Sequence, residues 1–99
     1  MLINGYKIIS SFIKKHADAG PSLNSWSRIT EKASWKNLIE VRQTYPHADA
    51  VGICTVFNIK GNHYRLITEI DYRKQIILIS KILTHAEYNK EKWKNECGS

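Results

Sequence analysis

The hydrophobic period of the chain changes at Pro46, and this change limits the fold more than any other feature of the sequence. Before it, apolar residues recur every three or four positions. Ile8, Ile9, Phe12 and Ile13 do so in the stretch from Gly5 to Ala17, and Leu23, Trp26, Ile29 and Ala33 in the stretch from Pro21 to Ala33. Such spacing lines one face of a helix and leaves Arg28, Glu31 and Lys32 outside it. Gly20-Pro21 stops one helix and starts the next. Asn37 suits the cap of a shorter helix, Leu38 to Tyr45, with Leu38, Val41 and Tyr45 inward; Pro46 ends it because its ring cannot continue the hydrogen-bond ladder.

Beyond Pro46 the pattern is that of strands. Ala50 to Ile59 is rich in β-formers, and Gly61-Asn62 reads as a two-residue hairpin turn, both residues tolerating positive φ. His63 to Ile70 alternates, Asp71 to Lys74 turns, and Gln75 to Leu83 is an apolar, β-branched strand. Ala86 to Asn95 reads as a short helix or an ordered tail. Helices followed by an antiparallel meander predict an α+β fold with two to three helices packed on one face of the sheet. At 99 residues with 42% hydrophobic residues, the chain supports a single domain, residues 1–99, around one core.

Lys and Arg outnumber Asp and Glu by 15 to 9, a net charge of +6. That excess favours a polyanionic partner such as nucleic acid, or an acidic protein. Cys54 and Cys97 are too few for a disulfide framework and read as two free thiols in a reducing cytosol. The longest apolar runs, such as Ile76 to Ile79, fall far short of a membrane span, and no signal peptide is evident. A cytoplasmic protein with no membrane association is the expectation. No two histidines have metal-ligand spacing, so no metal site is expected; no cofactor is expected either.

Within the hairpin "FNIKGNHYRL", Phe57 to Leu66, strand parity puts Tyr64, Leu66, Thr68 and Ile70 on one face and His63, Arg65, Ile67 and Glu69 on the other. The first set resembles a core face. The second gathers His63 and Arg65 near the hairpin end, close to Asn58 and Lys60, with the register left open.

"FNIKGNHYRLITEIDY" followed by "THAEYNK" is similar to the HigB toxins, a branch of the RelE-like toxin superfamily of prokaryotic toxin–antitoxin pairs. "FIKKHADA", "LNSW", Trp35-Lys36 and "YPHADAV" agree in order and spacing, so that the resemblance spans roughly Ser11 to Lys94. It implies a small RelE-like domain with a twisted antiparallel sheet. It also implies an endoribonuclease, an mRNA interferase that acts on translated mRNA in the ribosomal A site. The implied partner is a HigA-type helix-turn-helix antitoxin, with operator DNA reached only through that antitoxin.

Metal-independent RNA cleavage requires removal of the 2′-OH proton, stabilisation of an anionic phosphorane, and a proton for the 5′-oxygen. Arg65 suits the second task, since a guanidinium is always charged and holds two phosphate oxygens at once. The resemblance supports this by placing an arginine on the central strand. His85, after the last strand, suits proton transfer, and Tyr88 can stack, orient the phosphate or donate a proton. Lys60, Lys81 and Lys90 are candidates for phosphate contacts, with His63 in support; Asn58 and Asn62 orient these groups or shape the hairpin. Structural readings stand beside these: Arg65 as a solvated strand charge, His85 as a brace after the strand, Tyr88 as packing, and Trp93 as either the anchor of the tail or a partner contact. His16 and His47 read as surface residues, Trp26 and Trp35 as core. The competing functions are a non-catalytic RNA- or ribosome-binding module and a degenerate toxin that serves only to bind the antitoxin.

Overall fold

The computed structural model describes residues 1–98 and gives the change of period at Pro46 its physical form. The elements are β1 (Leu2–Asn4), α1 (Tyr6–Lys15), α2 (Gly20–Lys32), α3 (Leu38–Thr44), β2 (Asp49–Val51), β3 (Cys54–Ile59), β4 (Tyr64–Asp71), β5 (Ile76–Thr84) and α4 (His85–Asn89). Two 3-10 segments, Ala17–Ala19 and Lys92–Cys97, complete the chain. The sheet order is β1-β5-β4-β3-β2, antiparallel except where β1 runs parallel to β5.

The three long helices lie on one face. Ile9 of α1, Leu23 and Trp26 of α2 and Val41 of α3 are buried with Phe57, Leu66, Ile77 and Ile79 of the sheet. Local signals hold at the helix ends. The Asn37 side chain accepts from the Glu40 amide at 3.0 Å, and Pro21 sits in the first turn of α2, where its missing N–H has no helical partner to lose.

Four features go beyond the sequence reading or depart from it. Leu2–Asn4 forms a strand beside Ile76–Leu78, while the Met1 ammonium donates to the Thr30, Glu31 and Ala33 carbonyls at the open end of α2. The β-rich run from Ala50 to Ile59 is two strands, because Gly52 takes φ +57 and turns the chain so that Val51 pairs with Cys54. The β3–β4 loop has four residues, Lys60 to His63, because pairing ends at Ile59 and Tyr64. Both Lys60 and Gly61 take positive φ, so His63 belongs to the loop and β4 begins at Tyr64.

The fourth departure concerns the opposite face. Cys54, Val56 and Ile67 are covered there by Trp93 and Cys97 of the C-terminal segment. The expectation of two free thiols is overturned: Cys54 and Cys97 form a disulfide, their Cα atoms 5.3 Å apart although 43 positions separate them in sequence. The chain folds back so that the Cys97 carbonyl accepts from the Ile53 amide at 2.8 Å. Gly52 is required at this approach, since a Cβ there would stand 1.8 Å from the same carbonyl. No helix among the described residues is long and apolar enough to cross a membrane.

Candidate functional site

Arg65 enters the site through register. It sits near the start of the central strand β4, opposite Asn58 on β3 and Leu83 on β5. Its face is set by an irregularity: Ile67 pairs with Lys81 while Thr68 pairs with Ile79, so Ser80 is an extra residue on β5. The bulge reverses the alternation of β5. Ile77, Ile79 and Ile82 thereby all reach the helix-covered core, and Lys81 and Leu83 share the face of Arg65.

The solvated-charge reading of Arg65 does not hold, because the residue is only 8% exposed. Its Nη1 donates to the carbonyls of Asn62 and Tyr64 at 3.0 and 3.2 Å, and its Nη2 to Asn62 Oδ1 at 3.3 Å. Nε–H and one Nη2 proton keep no protein acceptor among the described residues. No carboxylate pairs with it among those residues either. The guanidinium carbon lies 5.1 Å from the centre of the Tyr88 ring, a contact worth about 0.5–2 kcal/mol according to its desolvation. Burying a cation without a counter-charge is costly, and this one retains directional donors that fit an anion.

Tyr88 is held in that position from behind. Its ring stacks on Trp93 with centroids 4.8 Å apart and an interplanar angle of 17°. The Trp93 indole N–H donates to the Tyr88 carbonyl at 2.9 Å. Trp93 is buried and anchors the tail. Trp93, Tyr88 and Arg65 thus form a continuous stack joining the C-terminal segment to the central strand.

His63 and His85 meet at the same end of the sheet. A cleft of about 500 Å³ opens between the hairpin loop, Asn62 and His63, and the β5–α4 junction, Thr84, His85 and Ala86. The two walls are joined by the His85 amide, which donates to the His63 carbonyl at 3.0 Å. His63 is pinned within its own turn: both its amide (3.2 Å) and its ring Nδ1 (2.8 Å) reach the Lys60 carbonyl. Helix α4 starts with a capping box in which Thr84 Oγ1 accepts from the Glu87 amide and Glu87 Oε1 accepts from the Thr84 amide. The backbone hydrogen bond holds the Glu87 carboxyl below its usual range. His85, next to the cap, braces the hairpin through its backbone and leaves its side chain exposed.

The lysines are divided among different neighbourhoods. Lys60 pairs with Asp18 at 2.8 Å, and the same carboxylate accepts from the Tyr64 hydroxyl at 2.7 Å. The Lys60 and Tyr64 hydrogen bonds hold Asp18 down at about 2. This tether fastens the hairpin to the α1–α2 connection on the face of Tyr64, where Phe12 and His16 flank the phenol ring. Sequence gave no signal of it, because Asp18 and Tyr64 are 46 positions apart. Lys81 is ion-paired with Glu96. Together with Lys90 and Lys92 it lines a groove along the C-terminal segment, floored by Leu83 and Trp93. Asn58 is half-buried opposite Arg65. The structure thus brings together Asn58, Asn62, His63, Arg65, His85 and Tyr88, sets Lys81 and Lys90 in the adjoining groove, and turns Lys60 to Asp18. Among the described residues, no cluster of His, Cys, Asp and Glu has the makings of a metal site.

A family model described as the HigB toxin, the RelE-like toxic component of a toxin–antitoxin system, matches residues 19–91. That span contains all of the grouped residues and stops short of Trp93 and Cys97. Among curated proteins no match is found.

Proposed function

Since the chain belongs to the HigB family of RelE-like toxins, the toxic components of toxin–antitoxin systems, we propose that it is an mRNA interferase that cleaves translated mRNA in the ribosomal A site. The observation that carries the reading is Arg65. It is a buried guanidinium with no carboxylate partner among the described residues, has donors to spare, and shares Asn62 with a cleft that holds two histidines.

In this reading the ribosome presents the RNA and the protein supplies charge and proton transfer. Arg65 stabilises the phosphorane formed as the 2′-oxygen attacks phosphorus, using its free N–H groups. His85 delivers a proton to the departing 5′-oxygen. Tyr88 holds the guanidinium plane, and Asn62 fixes its edge. Asn58, beside Arg65, and Lys81 and Lys90 of the groove, together with the net charge of +6, bind backbone phosphates on either side. Lys60 keeps the hairpin in place through Asp18. The reaction takes place in the cytoplasm, where the ribosomes are. A HigA-type helix-turn-helix antitoxin neutralises the toxin and carries its link to operator DNA.

The test is incubation of the purified protein with a defined mRNA, free and on programmed ribosomes, with the new termini mapped. Cleavage on ribosomes that leaves a cyclic phosphate and a 5′-hydroxyl is the expected result. Tight ribosome binding with intact mRNA would replace the enzyme by a binding module.

A further inference from the structure

The hydrogen bond that pins His63 also sets its protonation pattern. A backbone carbonyl only accepts, so Nδ1, 2.8 Å from the Lys60 oxygen, must carry the proton. In the neutral ring Nε2 is then left with its lone pair, and the ring belongs to an exposed residue that lines the cleft. The same logic fixes metal-binding and catalytic histidines elsewhere: the bond made by one ring nitrogen decides what the other can do. Here the partner is a turn carbonyl in a four-residue loop, which also accepts from the His63 amide at 3.2 Å. The ring is held by the loop itself.

The placement of the second histidine gives this lone pair a use. His63 lies on the hairpin wall of the cleft, and His85 on the wall formed by the end of β5 and the start of α4. In-line cleavage of RNA needs a base on the side of the 2′-oxygen and an acid on the side of the 5′-oxygen. Two exposed imidazoles lining one cleft from different elements, the hairpin loop and the β5–α4 junction, offer a base and an acid for that demand. Arg65 is linked to the lining of this cleft through Asn62, whose Oδ1 accepts from Nη2. Lys60 does not compete for the base role, because its ammonium is paired with Asp18.

We infer that His63 is the general base of the reaction, with Nε2 taking the 2′-OH proton while His85 acts as the acid; this rests on the ribonuclease reading above. In the step, the 2′-oxygen forms a bond to phosphorus and its proton passes to His63 Nε2. The P–O5′ bond breaks, and the leaving oxygen takes a proton from His85. The products are a 2′,3′-cyclic phosphate and a 5′-hydroxyl, and proton exchange with water resets both rings.

The variants that test this are His63→Asn and His85→Ala, assayed on programmed ribosomes at the site mapped with the wild-type protein. An asparagine amide takes the place of Nδ1–H and keeps the bond to Lys60, so the loop stays intact while the base is lost. Each variant is run on the ordinary mRNA and on one with sulfur in place of the 5′-bridging oxygen at the scissile position. A thiolate leaves without protonation, so loss of the acid is masked on that substrate and loss of the base is not. His63→Asn is expected to slow cleavage by about 10²-fold or more on both substrates. His85→Ala is expected to be slow on the oxygen substrate and close to wild type on the sulfur one. A His63→Asn protein that cuts at the wild-type rate, or whose defect disappears on the sulfur substrate, would overturn the assignment and leave the ribonuclease reading standing. A wild-type protein that cuts neither substrate removes both.

Discussion

Replacing Cys97 with alanine is predicted to lower the melting temperature by roughly 15–20 °C. The disulfide closes a loop spanning 43 positions, and the chain-entropy relation assigns such a loop about 13 cal/mol/K in the unfolded state, or about 4 kcal/mol at 25 °C. Unfolding entropy near 2.1 cal/mol/K per residue gives a chain of 99 residues about 0.2 kcal/mol/K, which converts that loss into the stated shift. Alanine avoids placing an unpartnered hydroxyl where Cys97 is 1% exposed. Calorimetry of the oxidised wild type, the wild type in excess dithiol, and Cys97→Ala is the assay. Dithiol should bring the wild type close to the variant and leave the variant unmoved. A variant within about 3 °C of the oxidised wild type, or two reactive thiols in unreduced, denatured wild type, would refute the reasoning.

Tyr88→Phe keeps both the stack on Trp93 and the ring over Arg65, so cleavage is expected within about threefold of wild type; Tyr88→Ala should lose at least the cation–π contact, about 0.5–2 kcal/mol, and cut about tenfold more slowly. A large defect in the phenylalanine variant would assign chemistry to the hydroxyl. The Asp18 tether depends on acid pH. Its carboxyl is at about 2 in the fold against an ordinary 3.8, so its contribution is complete above about pH 4 and is lost as pH falls towards 2. The melting temperature of wild type should therefore exceed that of Asp18→Asn at pH 6, and the gap should close near pH 2; a gap that does not narrow would refute an ionic tether.

Local signals made the fold legible, and long-range ones hid the rest. Alternating apolar positions marked the helices and strands, and Asn37 and Pro46 marked their ends, because these effects act within a few residues. Strict alternation failed at β5, where the Ser80 bulge carries Lys81 round to the face of Arg65. Gly52 reads as one more residue of a strand until Cys97 comes back to it, and no local rule brings Cys97 to Cys54. In the site, parity places Arg65 away from the core face, but the Tyr88 ring beside its guanidinium, and Trp93 stacked on that ring, arrive from the far end of the chain. The alternating pattern makes His63 the first residue of a strand, whereas β4 begins at Tyr64. The role proposed for His63 depends on a four-residue loop and a bond to Lys60 that only the folded hairpin displays.

In the proposed reaction Arg65 is the group that stabilises the reacting phosphate. The most direct measurement is the single-turnover rate of mRNA cleavage on programmed ribosomes by wild type and by Arg65→Ala, with ribosome affinity and melting temperature followed in parallel. A loss of about 10²-fold or more in rate is expected, for a folded protein that still binds the ribosome. A folded Arg65→Ala protein that cleaves at the wild-type rate would contradict it.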